Sequence, residues 1–398
     1  MPRGEVPRTM DEKKRAACAE VDRIARDLVA VSRDIYHHPE EKFEEHRASR
    51  LLADALKKAG FEVELGVADL PTAIRAVYPT ASAGPTVALL AEYDALPEIG
   101  HACGHNLIAA SALGACLALV RLKRDLPGRL LFLGTPAEEG GGGKVTMVRE
   151  GVFAEVDAAM MFHPASYTVV DRASLAISEV VIEFTGVAAH AASSPEKGVN
   201  ALDAVIQTFN GLSALRQHIK DGARVHGIIT DGGTKPNIVP EHASALFYVR
   251  ALENDYRDEL LLKLRRCAEG AALATGATLS FRLEGHSYEA MRPNLALGRA
   301  FAVNLATLGE ALDPPEERGL GSTDMGDVSQ IVPAIHSYIR IADKDVAGHS
   351  RAFADASASP RGEAVMLTAA KTLAMTAIDL FTRPDLVAEV KAEFARSA

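Results

Sequence analysis

Three short apolar runs constrain this chain more than anything else in it: 86–91 (TVALLA), 129–134 (RLLFLG) and 158–162 (AAMMF). Each is nearly continuous in hydrophobic residues, the pattern of a strand covered on both faces, and helical patterns at about 104–123 and 142–150 alternate with them. That alternation specifies an α/β layer, a sheet with helices packed against it. Upstream, the spacing of Val21, Ile24, Ala25, Leu28 and Ile35 predicts a helix over 16–37, broken by His37-His38-Pro39. A second helix, over 44–59, carries Leu51, Leu52, Ala55 and Leu56 and stops at Gly60.

From Ser174 the pattern changes. Strands are predicted at 175–185, 224–231, 243–251 and 276–284, with helices at 198–217 and 254–271. The order β-α-β-β-α-β is the split βαβ, ferredoxin-like arrangement. It begins and ends inside the chain, so it reads as an insertion. The α/β pattern then resumes with a strand near 336–342 and a helix over 360–381. The expected organisation is a catalytic domain of 16–173 and 290–398 with a lid or dimerisation domain of 174–289 inserted into it. A length of 398 residues suits two domains.

Charge excludes some functions. With 43 basic and 53 acidic side chains the formal net charge is −10, which argues against a nucleic-acid partner or a polybasic membrane surface. No stretch reaches the ~18 uninterrupted apolar residues of a membrane helix. Cys18, Cys103, Cys116 and Cys267 are too scattered for a disulfide framework and are expected to be reduced thiols. The N-terminal MPRGEVPRTMDEKKRAAC is basic but lacks an apolar core, which predicts a loose tail rather than a secretory signal. The expected setting is cytoplasmic.

Each of the three apolar runs is followed by a polar cluster: Glu92, Asp94 and His101-Ala102-Cys103-Gly104-His105-Asn106 after the first, Glu138-Glu139 after the second, His163 after the third. Ligands of open α/β sheets bind at the carboxyl ends of the strands, so the three clusters are expected to share one site. Thiolate, imidazole and carboxylate together suit zinc; imidazole with carboxylate also suits manganese or cobalt. Of the adjacent pair Glu138-Glu139, one can hold metal while the other faces water as general base. Two ions about 3.5–4 Å apart would polarise a carbonyl and acidify that water. Singly, each cluster has a blander explanation. Cys103 could be a small core residue, His101 a loop residue, and Glu138-Glu139 a solvated helix start. The GGGGK run at 140–144 is followed by Val145 and lacks phosphate-loop spacing, and no HExxH or GxSxG occurs.

The segments HPEEKFEEHRASRLLADALKKAGFEVE, AEYDALPEIGHACGHNLIAA, GTPAEEGGGGK, FHPAS, GVAAHAASSPEKGVNALDA, DGGTKPNIVP and GHS resemble the two-metal aminoacylase and carboxypeptidase-G-type metallopeptidase family. Within it they are most similar to the amidohydrolase branch, on the side of aminobenzoyl-glutamate hydrolase and β-alanyl-lysine dipeptidase-like members. The resemblance implies a zinc-peptidase-like α/β catalytic domain, its mixed sheet flanked by helices, with an inserted ferredoxin-like lid that often dimerises. By position it implies Cys103, His105, Glu139, His163 and His349 as ligands of two divalent ions, zinc or manganese with cobalt possible. It further implies Glu138 as general acid/base, Asp94 as a carboxylate behind the metals, and His190 as a lid histidine that stabilises the oxyanion in a partner's site. Asn237 and Arg250 match lid positions that can hold a substrate carboxylate. Asn106 departs from the Asp usual in hippurate-hydrolase-like members, which bears on substrate class.

The expected function is metal-dependent hydrolysis of the amide bond of a small dipeptide or N-acyl amino acid, by a homodimer formed through the lid. Two alternatives stand beside it. One is a catalytically silent relative acting in binding or assembly; the other is a Cys103-dependent amide hydrolase, inactivated by alkylation and indifferent to chelators.

Overall fold

The computed structural model describes residues 10–78, 82–122, 126–314 and 319–397; most of the expected N-terminal tail lies outside the described residues. The elements run α1 (Glu12–Arg23), α2 (Ala25–His37), α3 (His46–Lys58), β1 (Glu62–Leu65), β2 (Ile74–Tyr78), β3 (Thr86–Ala91), α4 (His105–Leu122), β4 (Arg129–Gly134), α5 (Gly143–Arg149), β5 (Ala158–Ala165), β6 (Ala176–Thr185), α6 (Ala201–Leu215), β7 (Arg224–Asp231), β8 (His242–Ala251), α7 (Asn254–Thr275), β9 (Thr278–Tyr288), α8 (Leu295–Thr307), α9 (Met325–Ile331), β10 (Ala334–Arg340), α10 (Arg351–Ser357), α11 (Pro360–Thr382) and α12 (Pro384–Ser397). The chain divides into two compact units. One comprises Met1–Ala173, Met291–Gly319 and Asp327–Ala398, the other Ser174–Ala290 and Leu320–Gly326.

The first unit holds a six-stranded sheet in the order β1-β2-β4-β3-β5-β10. Strands β4, β3, β5 and β10 are mutually parallel, while β1 and β2 add an antiparallel edge, so the sheet is mixed. The apolar runs are buried throughout, β3 on every residue. β5 outruns its predicted end and carries His163 within the strand, paired with Tyr338 of β10. β1 has no apolar run to announce it: EVEL is a short, mostly exposed edge strand, which charge protects from further pairing.

The helix predicted over 16–37 is two helices, because Ile24 leaves helical geometry at φ −96° and ψ 6°. Ile24 nonetheless stays buried beside Val21 and Leu28, so the apolar stripe continues through a backbone that does not. α4 and α11 are long and apolar enough to cross a membrane by composition, but 78% of each such stretch is buried inside the protein. They serve as core helices. Where α4 passes α2 and α11 the backbones come close: a Cβ on Gly114 would lie 2.6 Å from Leu28 Cδ1 and 3.2 Å from Ala370 Cβ.

The second unit is a four-stranded antiparallel sheet, β7-β8-β6-β9, with α6 and α7 on it. β6 alternates buried and half-buried residues along its length, as a strand covered on one face must. Val180, Ile182 and Phe184 from β6, Phe247 from β8, and Leu260 and Leu264 from α7 form its core. Strand order and connectivity are ferredoxin-like.

Gly114→Val tests the close packing of α4. Replacing a helical glycine normally stabilises, yet here the side chain has no room, and a loss of about 1–3 kcal/mol in urea-unfolding stability is the expected outcome.

Candidate metal centre

The carboxyl ends of the parallel strands bring the predicted polar clusters together. Cys103, His105 and His163 place one ligand atom each within 4.8 Å of one another; so do Cys103, Glu139 and His349, and so do His105, Glu138 and Glu139. Cys103, His105 and Glu139 each belong to two of these groups, so the groups overlap. Gly104 makes the Cys103–His105 spacing possible. It sits at φ +78°, and an added Cβ would lie 2.5 Å from Pro164 Cγ, so only glycine lets the loop turn this closely over β5 before α4 starts. His349 approaches from beyond β10, with φ +57° and its amide donating to the Ala102 carbonyl at 3.0 Å.

The ring nitrogens are fixed by their partners. His105 Nδ1 lies 2.9 Å from the Asp94 carbonyl oxygen and 3.1 Å from its Oδ1. His163 Nδ1 donates to the Pro164 carbonyl at 2.7 Å. Both histidines therefore present Nε2 to the site, the tautomer that a carboxylate or carbonyl behind a metal ligand imposes. His163 Nε2 lies 3.4 Å from Cys103 Sγ, and His105 Nε2 is buried without a hydrogen-bond partner. Asp94 also anchors backbone, since its Oδ2 accepts the Glu139 amide at 2.9 Å. Glu139 Oε1 lies 3.2 Å from His349 Nε2.

Ionisation follows these contacts. Burial pushes His163 down to about 4, which leaves Nε2 with its lone pair near neutral pH. Burial also works to lower His105, but the Asp94 carboxylate and Cys103 outweigh it and hold the imidazole well above its ordinary value. Glu139 is opposed by burial and still drawn below the ordinary glutamate range by His349 and His105. For Cys103, burial and the nearby Glu139 push the thiol well up. A cysteine nucleophile needs the opposite shift.

These donors fit divalent ions. Nitrogen, sulfur and carboxylate converge, and buried His105 Nε2 and Glu92 Oε2, 3.5 Å apart, make no hydrogen bond among the described residues. Such a donor set is one that a divalent cation takes.

Several contributors carry no role that sequence could assign. Glu92, visible in the first polar cluster, is fully buried, its Oε1 2.5 Å from the equally buried Lys144 Nζ and its Oε2 3.5 Å from His105 Nε2. Lys144 ends the GGGGK run, whose spacing does not fit a phosphate loop. His336 and Tyr338 of β10 pack edge-on and tilted against the His163 ring, with centroids 5.1 and 5.3 Å away, and the Tyr338 hydroxyl lies 3.2 Å from His336 Nδ1. Glu45 is buried and accepts the Ala137 amide next to Glu138. Asn106 is buried too, and donates to Ser32 Oγ at 2.9 Å and to the Ser357 carbonyl at 3.3 Å. Asparagine at this position therefore acts as a donor tying α4 to its neighbours, a bond a carboxylate does not make.

The remaining predicted residues lie in the second unit. Exposed His190 pairs with Ile238, and the Ala191 amide donates to the Asn237 carbonyl at 3.1 Å, so His190 and Asn237 are neighbours. Arg250 stands apart from them on β8, bonded through Nη1 to Ser322 Oγ at 3.3 Å.

A cation-binding cluster at the strand ends of an α/β sheet is the architecture of a metallohydrolase. Residues 88–374 match the model of peptidase family M20/M25/M40. The chain is 41% identical over 397 residues to the Xaa-Arg dipeptidase of Mus musculus, covering 96% of this chain and 92% of that protein. It is 38% identical over 300 residues to one of the subunits of the p-aminobenzoyl-glutamate hydrolase of Escherichia coli, covering 70% and 62%. Among solved structures, a Bacillus subtilis protein described as a dinuclear metal-binding peptidase superposes with a TM-score of 0.69 at 22% identity, over 90% of this chain and 99% of that one. The chain belongs to peptidase family M20/M25/M40. It is an enzyme of metal-dependent amide hydrolysis acting on small substrates.

Two stability measurements check the buried charges. Lys144→Met strands the Glu92 carboxylate and should cost about 3–5 kcal/mol in urea unfolding, largely recovered in Lys144→Met/Glu92→Leu. Burial holds the Glu45 carboxyl up at about 7 against an ordinary value of 4.5. The folded state therefore favours its protonated form, and its contribution is lost as pH rises from about 4.5 through about 7. Relative to wild type, Glu45→Gln should gain stability across that window, on the order of 3 kcal/mol, and show no further relative change above it.

Proposed function

We propose that this enzyme is a dinuclear dipeptidase or aminoacylase that hydrolyses the amide bond of a dipeptide or N-acyl amino acid bearing a free carboxylate. The observation that carries this reading is the convergence of Cys103, His105, Glu139, His163 and His349 in overlapping groups, with Glu138 inside one of them. In this reading those five residues hold two zinc or manganese ions, and Asp94 orients His105 and Glu139 from behind. When bound, such ions supply Lewis acidity that polarises the scissile carbonyl and acidifies the attacking water.

The chain's own groups handle the protons and the developing charge. Glu138 takes the proton of the attacking water on its carboxylate and returns it to the leaving amine. It stands next to Glu139 in a loop rather than a helix, so the two adjacent carboxylates can serve different roles. His190 Nδ1 accepts the amides of Ala192 and Ser193, each at 3.2 Å. That places its proton on Nε2, a donor suited to a carbonyl oxygen gaining negative charge. Asn237, beside His190, and Arg250 are assigned to the substrate carboxylate; Arg250 Nε is buried without a hydrogen-bond partner.

The inserted unit is assigned as lid and dimerisation domain. Its β7 is an edge strand with Ile228 64% and Ile229 45% exposed, an apolar edge that a second copy would cover. Free cysteines among the described residues accord with a cytoplasmic setting. The mouse relative's name, Xaa-Arg dipeptidase, makes a dipeptide with a C-terminal basic residue the first substrate to try.

The test is elemental analysis of the purified protein together with ninhydrin-detected hydrolysis of a panel: Xaa-Arg and Xaa-Lys dipeptides, p-aminobenzoyl-glutamate and N-acetyl amino acids, with and without chelator. About two ions per chain and chelator-sensitive release of amino acid are expected. Glu138→Gln should retain the ions and lose at least about a thousandfold in kcat. Turnover that survives chelation but not thiol alkylation would favour the cysteine hydrolase and overturn this reading.

A further inference from the structure

We propose that Glu45 is a positioning residue, holding in place the loop that presents Glu138. Glu45 directly precedes α3, at the position where a short polar side chain ordinarily caps the helix. It makes no cap bond. Its carboxylate instead turns into the first unit, fully buried, and bonds to other segments and to the turn before it. Oε1 accepts the amides of Phe43 at 3.0 Å and Ala137 at 2.9 Å, and Oε2 accepts the Thr72 hydroxyl at 2.7 Å. Thr72 in turn receives the Tyr93 hydroxyl on its carbonyl at 2.6 Å, which ties the same group to the segment leaving β3.

The two amides that share Oε1 belong to residues in the same unfavourable conformation. Phe43 has φ +64° and Ala137 φ +59°, the left-handed region that side chains other than glycine seldom occupy. Ala137 is held there from both ends: its amide by Glu45, and its carbonyl by the amides of Gly141 at 3.0 Å and Gly142 at 2.8 Å. Two residues on, the Glu139 amide is held by Asp94. Glu138 is therefore the residue between two backbone donors, each clamped by a buried carboxylate reaching in from a different segment. Without the Glu45 acceptor, Ala137 loses its reason to stay left-handed, and rotation there would swing the Glu138 side chain. Small misplacements of a reacting group cost large factors in rate.

This inference rests on Glu138 as the proton carrier, and the experiment separates the two. Glu45→Gln keeps an oxygen for both amides but cannot ionise. Glu45→Asp keeps the carboxyl group but is too short to hold Ala137 and Thr72 together. Both are measured for kcat and KM on the fastest substrate of the panel above, for metal content, and for thermal midpoint, in wild-type and Glu138→Gln backgrounds. The expected result is a Gln variant within about threefold of wild-type kcat and an Asp variant reduced at least about thirtyfold, with KM moved less than about threefold. Metal content should stay at the wild-type level in both. In the Glu138→Gln background the Asp variant should change the residual kcat less than about twofold, because a residue acting through Glu138 has nothing left to position. A Gln variant as impaired as the Asp variant, an Asp variant with wild-type kcat, or the same loss in both backgrounds would each overturn the proposal. Full activity of Glu138→Gln alone has a different signature and would remove the assignment beneath it. The Gln and Asp pair decides the matter even if Glu45→Ala, which bares two buried amides, does not fold.

Discussion

Burial of the sheet on both faces is the constraint on which the first unit depends. Strands β3, β4 and the first part of β5 are closed off by α4, α11 and their neighbours, so polar side chains have little place along them, while β10 admits buried His336 and Ser337. Polar chemistry is driven to the strand ends. There the loops after β3, β4 and β10 and the last turn of β5 meet because the strands are parallel and adjacent in the order β4-β3-β5-β10. The candidate metal centre is a product of that adjacency: Cys103, Glu139 and His349, from three stretches of chain, bring ligand atoms within 4.8 Å of one another because the sheet stacks its strand ends side by side.

Buried carboxylates then do the fine positioning. Asp94 orients His105 and anchors the Glu139 backbone; Glu92 balances Lys144 and faces His105; Glu45 holds Ala137. A buried polar group in such surroundings is costly unless it is hydrogen-bonded or paired. Each of these carboxyl groups holds the groups it touches in place. The same low-dielectric setting splits the histidines, lowering His163 and raising His105. Asp94, which stands beside His105, and Cys103 raise that ring against burial, whereas burial prevails at His163.

The second unit contributes a different kind of surface. Its core is an ordinary one-sided sheet covered by two helices, but the residues that matter to the proposed function, His190, Asn237 and Arg250, lie on loops or at half-buried strand positions. His190 obtains a defined tautomer from two backbone amides two and three residues further along, a local device that needs no distant partner. Such residues tolerate exposure because their hydrogen bonds are made within a turn.

Much of this was legible in the amino-acid order, and the reason is local. Continuous apolar runs marked β3, β4 and the start of β5; period-two alternation marked β6; and residue type and spacing around Cys103, Glu138 and His163 announced metal chemistry. Tertiary structure decided the rest. The break at Ile24 escaped because the apolar stripe runs on across it, and β1 escaped because an exposed edge strand carries no hydrophobic pattern. Glu45, Lys144 and His336 could not be recognised as part of the site from sequence, since each belongs to it through a contact with residues tens to hundreds of positions away. Periodicity and residue chemistry are properties of neighbours along the chain, and a sequence can state them alone. Which carboxylate balances which cation, and which amide it holds, is set by how the buried elements pack, and that exists only once the chain has folded.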